Sequence, residues 1–117
     1  MDDFYTGLMK PLDTDEYAEI RITVADGMIT SAECECTDEV LLKDCCETVC
    51  RVITDKPAAD VMQMNNNAVY YNCENELPRS SLYLATIAVA AAKKAVLDYF
   101  RKNGIEYKGD GVCSCLN

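Results

Sequence analysis

The strongest constraint on the fold is a long helical pattern near the end of the chain, from about Arg79 to Lys102. It follows Leu77-Pro78 and is closed by Asn103-Gly104, because glycine readily takes the left-handed conformation that ends helices. At 1.5 Å per residue the helix would be about 36 Å long, roughly the diameter of a small domain. Its buried face is predicted to hold Leu84, Ile87, Ala88, Ala91, Ala95 and Tyr99. Small residues allow close approach, so the rest of the domain is expected to pack on this face.

Upstream of this helix, two segments alternate apolar and polar residues with the period of β-strands. Tyr17 to Val24 places its isoleucines on one face, and Met28 to Cys36 places Cys34 and Cys36 on one face. Ala25-Asp26-Gly27 between them is typical of a tight turn, in which the glycine supplies a positive φ. The glutamates that alternate with the cysteines must meet water, so the two cysteines face the core or a site.

Further helices are predicted between this hairpin and the long helix. Thr37-Asp38-Glu39 can cap and open one that continues to about Ile53. A short helix is expected over Lys56 to Met64, and a weaker one, which carries Cys73, over Ala68 to Glu76. Because strands come first and helices after, the sequence predicts a single α+β domain, with a small three-stranded antiparallel sheet and helices packed on one face. Residues 104–117 are expected to form a short tail.

The net charge of -9 limits the class of partner. No basic stripe is available to follow phosphates, so nucleic acid binding is not expected, and an acidic surface does not favour an anionic membrane. Met1 runs straight into Asp2-Asp3 without a basic or apolar leader, and Lys93-Lys94 interrupts the apolar stretch Leu82 to Ala92 before it reaches the length of a membrane span. We therefore expect a cytoplasmic protein whose cysteines are mostly reduced.

Eight cysteines and no histidine determine the available chemistry. The spacing does not fit a zinc finger, because there is no C-x-x-C pair. Thiolates suit iron–sulfur clusters or Cu(I), and plain burial is an equally open interpretation. Cys45, Cys46 and Cys50 lie within the first predicted helix and are interpreted as packing residues. The pairs Cys34-x-Cys36 and Cys113-x-Cys115 together offer four ligands to one cluster, and the terminal pair can equally form a disulfide or dock on a partner.

Catalysis by the chain alone is not expected. No histidine is present to act as a base, and no Gly-x-Ser-x-Gly motif or phosphate-binding loop occurs. A redox enzyme of the thioredoxin type would need C-x-x-C, which is also absent. The chain is therefore predicted not to be an enzyme.

From about Pro11 to Tyr99, the order of these features resembles the iron–sulfur cluster scaffold family of IscU and the NifU N-terminal domain. The matching features are a strand that ends in Asp26-Gly27, a second strand, and a helix that closes at Asp55-Lys56. A Leu-Pro step and an Ala-rich helix that ends in Ala-x-x-Asp-Tyr complete the match. The resemblance implies the α+β fold described above. It also implies an iron–sulfur cluster or a divalent metal ion as cofactor, and a cysteine desulfurase or an iron–sulfur enzyme as protein partner.

The ligands of the family are replaced in this chain. Scaffolds of this kind hold a transient cluster with three cysteines and one aspartate; the aspartate matches Asp15, whereas Asp13 and Glu39 stand where two of the cysteines are expected. The third cysteine is also missing, since Tyr83-Leu84 occupies its place. Carboxylates suit hard cations such as Mg, Ca or Mn, so a metal site of Asp13, Asp15 and Glu39, with the nearby Cys36, is one expectation. A solvated acidic rim is the other.

Two functions follow from the resemblance. The first is an atypical iron–sulfur cluster assembly scaffold with altered or weakened binding of a cluster or metal. The alternative is a non-catalytic binding module without a cofactor, which keeps the scaffold fold and docks on an iron–sulfur enzyme or assembly partner.

Overall fold

A computed structural model describes residues 4–12, 15–37, 40–73 and 77–105. Its sheet has three antiparallel strands in the order β1-β2-β3: β1 Phe4–Met9, β2 Ala18–Ala25 and β3 Met28–Cys36. The helices are α1 Val40–Ile53, α2 Ala58–Val61, α3 Asn67–Tyr70 and α4 Tyr83–Lys102, and a 3-10 turn over Arg79–Ser81 precedes α4. The predicted α+β fold with a long C-terminal helix is confirmed.

The β2–β3 hairpin forms as its alternating pattern predicts. Asp26 and Gly27 occupy the turn with φ angles of 53° and 78°, the left-handed conformation that two-residue hairpin turns of this kind require. A bulge between Thr23 and Val24 shifts the register, so that Ile29 faces the core together with the even-numbered residues further along β3. The bulge therefore keeps both ends of β3 in contact with the helices.

Backbone hydrogen bonds tie the tip of this hairpin to the segment that follows α1. The Ile29 amide donates to the Lys56 carbonyl at 2.9 Å, and the Ile29 carbonyl accepts from the Asp55 amide at 2.8 Å. The Ala58 amide donates to the Gly27 carbonyl, also at 2.8 Å. The C-terminal end of α1 is therefore held beside β3 by main-chain contacts, which do not depend on side-chain identity.

The edge strand β1 crosses α4 at a glycine. A Cβ atom on Gly7 would lie 2.2 Å from both the Ala91 carbonyl oxygen and the Ala95 amide nitrogen. Tyr5, on the same face of the strand, packs edge-on against Tyr99 with ring centroids 5.1 Å apart. The small residues that the sequence places on this face of α4 thus permit backbone-to-backbone contact with the sheet.

α4 forms the centre of the core. Its predicted face is buried, except that Tyr99 is only half-buried. The stretch Arg79–Lys102 is long and apolar enough to cross a membrane by length and composition, so the expectation that it is too short for a span is wrong. Most of this stretch is nevertheless buried inside the domain, which is the arrangement of a core helix.

The two helices between α1 and α4 are shorter than predicted. α2 starts only after Pro57, which forms an isolated β-bridge with Met28. α3 ends at Tyr70, and the Asn72 side chain then donates a hydrogen bond back to the Ala68 carbonyl at 2.6 Å. Cys73 consequently lies beyond the helix that was expected to carry it.

Thr37 joins two strands. Its hydroxyl oxygen accepts a hydrogen bond from the Tyr17 amide at 2.7 Å, which connects the start of β2 to the end of β3. The neighbouring Asp38 and Glu39, which the sequence predicts in the first turn of the helix, lie outside the described residues.

Asp98 is a buried carboxylate that connects α4 to β1. Its Oδ2 atom accepts a hydrogen bond from the Thr6 amide at 3.1 Å, and Lys102 Nζ lies 3.2 Å from the same oxygen. Arg101 forms a second ion pair with this carboxylate. Burial acts to raise the pKa of Asp98, but the Thr6 amide and the two cations outweigh it and hold the pKa below its usual value.

Replacing Asp98 with alanine is expected to lower the free energy of unfolding by about 2 kcal/mol, because the Thr6 amide loses its acceptor. This stabilisation is complete above about pH 4, the pKa range of an unfolded aspartate, and it is lost as the pH falls through the lower pKa of the folded state. Urea unfolding at neutral and at acidic pH measures both effects. Arg101→Ala is the control, since its exposed side chain should cost less than about 1 kcal/mol. Equal losses for the two variants would contradict this role of Asp98.

Candidate functional site

Four cysteines from β3 and α1 meet at the interface between the sheet and the helix. Cys34 and Cys36 lie on the inward face of β3, while Cys46 and Cys50 lie one turn apart on the buried face of α1. We call these four residues the thiol cluster. The alternation of β3 and the helical period of α1 orient both pairs, and the small size of cysteine allows the strand and helix to pack closely here.

The contacts within the thiol cluster are centred on Cys34. Cys46 and Cys50 are its neighbours across the interface, and Cys46 is also a neighbour of Cys36. Cys46 is fully buried and Cys50 nearly so, whereas the two strand cysteines are half-buried. All four are free thiols. Cys34 thus reaches two buried thiols of another element while remaining partly accessible itself.

These neighbours favour the charged form of Cys34. Hydrogen bonds from Cys46 and then Cys50 lower the pKa of the Cys34 thiol to about 3, and they outweigh the opposing effect of burial. The same hydrogen bonds, together with burial, raise the pKa of Cys46 and that of Cys50 above the ordinary value. Burial also raises the pKa of Cys36. Within the cluster, the neighbouring thiols therefore favour the charged form of Cys34 and the neutral forms of Cys46 and Cys50.

A second thiol pair lies on the other side of α1. The Cys45 thiol contacts that of Cys73, and the Thr48 hydroxyl donates a hydrogen bond to the Cys73 sulfur at 3.5 Å. Burial first, and then the neighbouring Cys73, raises the pKa of Cys45 to about 12. Cys45 is fully buried, so this pair helps to pack α1 against α3 and the residues after it.

A shallow surface pocket of about 200 Å³ lies on the outer face of the sheet, on the side away from α1. Cys34 lines it together with Glu19, Arg21, Glu33 and Glu35. Its other lining residues are charged, so the region is hydrated and open to small polar molecules. The Cys34 side chain points to the opposite side of β3, towards α1, so this pocket does not lead to the thiol cluster.

The site residues that the sequence predicts are only partly brought together. The structure describes Cys34 and Cys36 in the thiol cluster and Asp15 as an exposed residue between β1 and β2. Asp13, Glu39, Cys113 and Cys115 lie outside the described residues. Among the described residues, no group of three or more Cys, His, Asp or Glu side chains is arranged to hold a metal ion. The contacts of the thiol cluster are pairwise and do not surround a common centre.

The sequence interpretation missed the role of Cys46 and Cys50. Both are buried, as expected of packing residues, but they also contact the strand thiols. Their spacing of one helical turn was the available signal, because it matches a pair of inward-facing cysteines on an adjacent strand.

No protein-family model matches the sequence, and no curated protein is significantly similar to it. The fold and the site together define an α+β domain with a thiol cluster between its sheet and its first helix. Proposals about function therefore rest on this geometry and on the residues that resemble the scaffold family.

Proposed function

We propose that this chain is an atypical, non-catalytic scaffold protein of iron–sulfur cluster assembly that binds its iron and sulfide cargo weakly. The observation that supports it is the contact of Cys34 with two thiols of α1, close in sequence to the point where the resemblance places the missing family cysteine, now Glu39. Thiolates are the preferred protein ligands of iron–sulfur species. The thiol cluster would then replace the family site as the part of the protein that contacts the cargo.

The weakness of binding follows from the arrangement of the thiols. Stable clusters need several thiolates around one centre, and the described residues contain no such group. The helix thiols would have to rotate away from Cys34 before they could contact iron, and this loses their hydrogen bonds. A cargo that binds against this cost is expected to leave readily, as suits transfer to a partner such as an iron–sulfur enzyme.

Anaerobic reconstitution with iron and sulfide tests this function. We expect visible absorption corresponding to less than one cluster per chain, which decays on gel filtration, because the thiols are not arranged around a centre. The double variant Cys34→Ser, Cys36→Ser should lose this absorption, whereas Cys45→Ser, which alters a buried thiol outside the cluster, should retain it. A stable cluster that survives the double variant but disappears in Asp13→Ala would show that the family site is the functional one.

The outer face of the sheet favours a second candidate, a binding module. Phe4 and Leu8 of β1 are about half exposed there, next to strands whose outward residues include Glu19, Glu33 and Glu35. An apolar strip beside acidic residues suits a protein partner with a basic, partly apolar surface. A partner of defined stoichiometry that is released by Phe4→Ala with Leu8→Ala, from a chain that holds no metal, would favour the module over the scaffold.

A further inference from the structure

A second pocket, of about 270 Å³, lies between α4 and the segment that joins α2 to α3. Thr86, Val89, Ala90 and Lys93 line its helix side, and their spacing of three, four and seven residues places them on one face of α4. Residues 64–66 form the opposite side. This face of α4 is opposite to the one that the sequence predicts to be buried, so the pocket is distinct from the contact between α4 and the sheet.

Lys93 is the unusual residue of this pocket. It is only 8% exposed, whereas the next residue, Lys94, is partly exposed. Both ion pairs within the described part of the chain involve Asp98, and Lys93 forms neither an ion pair nor a side-chain hydrogen bond with any described residue. A lysine is rarely buried to this degree without a partner, because its ammonium group loses hydration there. The pocket thus holds a buried cation whose counter-ion is not among the described residues.

The other polar residues of the pocket add hydrogen-bond donors. Asn65 Oδ1 accepts a hydrogen bond from the Asn67 amide at 2.9 Å, and this fixes the orientation of the side-chain amide, since a backbone N–H only donates. Asn65 therefore keeps its NH₂ group as a donor. Asn66 Nδ2 donates to Thr86 Oγ1 at 2.8 Å, which leaves the Thr86 hydroxyl hydrogen to be donated. Donors beside a buried ammonium group favour an anionic ligand.

The rest of the pocket lining is apolar and consists of Met64, Val89 and Ala90. Val89 and Ala90 are almost completely buried, so a ligand that reaches Lys93 lies against hydrocarbon. A phosphate ion is strongly hydrated and is usually held by several donors and cations, so one ammonium group in apolar surroundings suits it poorly. A carboxylate that carries a hydrocarbon chain matches both parts of the lining.

We propose that this pocket binds a small organic monocarboxylate, with the carboxylate at Lys93 and the hydrocarbon chain against Val89 and Ala90. The volume lies below the range of about 300–1,000 Å³ that is typical of pockets for drug-sized ligands, so the chain is short. The inference goes beyond the proposed function and does not depend on it, since no residue of the thiol cluster lines this pocket.

Hexanoate is the probe, and methionine methyl groups report where it binds. In the full chain labelled with [methyl-¹³C]methionine, Met64 lines the pocket, whereas Met28 lies at the start of β3 and does not line it. We expect hexanoate to shift the Met64 methyl signal saturably and to leave that of Met28 unchanged; Met64→Leu and Met28→Leu assign the two signals. Hexanol and hexylamine lack the negative charge and phosphate lacks the chain, so each should bind at least roughly tenfold more weakly.

Variants test the role of Lys93. Lys93→Met removes the ammonium group but keeps an unbranched apolar stem, and it should weaken hexanoate binding by roughly tenfold or more. Lys94→Met is the matched control, because it makes the same change of charge one residue away, outside the pocket lining, and should bind like the unaltered chain. Thermal melting shows which variants fold, and the comparison of hexanoate with hexanol on the unaltered chain decides the question if Lys93→Met does not.

Four results would overturn the proposal. They are the absence of a saturable shift of the Met64 signal, an equal shift of the Met28 signal, equal affinities for hexanoate and hexanol, and equal losses of affinity in the two lysine variants.

Discussion

Replacing Gly7 with alanine is expected to lower the free energy of unfolding by about 3 kcal/mol or more. The new Cβ atom would lie 2.2 Å from the Ala91 carbonyl oxygen and from the Ala95 amide nitrogen. Both are backbone atoms of α4, so no side chain can rotate to make room. Either β1 must move away from α4 or the helix must bend, and both loosen the core where the sheet and its longest helix meet. Urea unfolding followed by circular dichroism measures the loss.

Gly27→Ala provides the matched control. A Cβ atom added to Gly27 would have no neighbour within 4 Å. Only the positive φ of this residue, 78°, is unfavourable for alanine. This backbone strain should cost about 1 kcal/mol. Gly7 shows no such φ, so its effect is steric. If the two variants were equally destabilised, close approach of β1 and α4 would not be the cause.

The reactivity of Cys34 should be nearly independent of pH, in contrast to that of Cys36. The hydrogen bonds from Cys46 and Cys50 lower the pKa of Cys34 to about 3, so its thiolate is fully populated throughout the neutral range. The pKa of Cys36 is raised by burial, so its thiolate fraction grows roughly tenfold with each pH unit below that pKa. Between about pH 5 and pH 8 we therefore expect alkylation of Cys36 to accelerate by roughly a thousandfold, and that of Cys34 by less than about twofold.

Timed alkylation with iodoacetamide, read by fragment ions of tryptic peptide 22–43, measures both rates on one peptide. The pH profile is the quantity to compare, because a thiolate of low pKa is also a weaker nucleophile and its absolute rate is not unusually high. Cys46→Ala with Cys50→Ala removes the thiol donors, so the pKa of Cys34 should rise and its profile should become steeper. A flat profile that persists in the double variant would show that the helix thiols do not control Cys34.

The sequence was sufficient to predict those elements whose local patterns agree with their final positions. The β2–β3 hairpin follows from strict alternation and from Asp26-Gly27, and α4 follows from its alanine-rich face. β1 could not be located in the same way, because Gly7 interrupts its pattern, and the reason for that glycine lies more than eighty residues away on α4. A tertiary contact of this kind leaves no local signal.

In the candidate site too, the features set by local patterns were predictable and those set by tertiary contacts were not. Alternation alone placed Cys34 and Cys36 on the inward face of β3, and the helical period buried Cys46 and Cys50. Their meeting depends on where α1 sits along β3, and this is decided by the turn at Asp55 and by the backbone bonds that follow. The pKa values of the thiols depend on how β3 and α1 pack together, so they could not be predicted from residue spacing.

The main-chain hydrogen bonds near the hairpin tip fix the C-terminal end of α1 beside β3. Because Ile29 bonds to both Asp55 and Lys56, this end of the helix is held in register with β3. A separation of α1 from β3 would therefore begin at the N-terminal end of the helix, near Val40. The displacement of a helix residue then grows with its distance from the fixed end, so Cys46, which lies one turn further from that end than Cys50, moves more. The contact between Cys36 and Cys46 should open first and the contact between Cys34 and Cys50 last, which gives the thiols a fixed order of release.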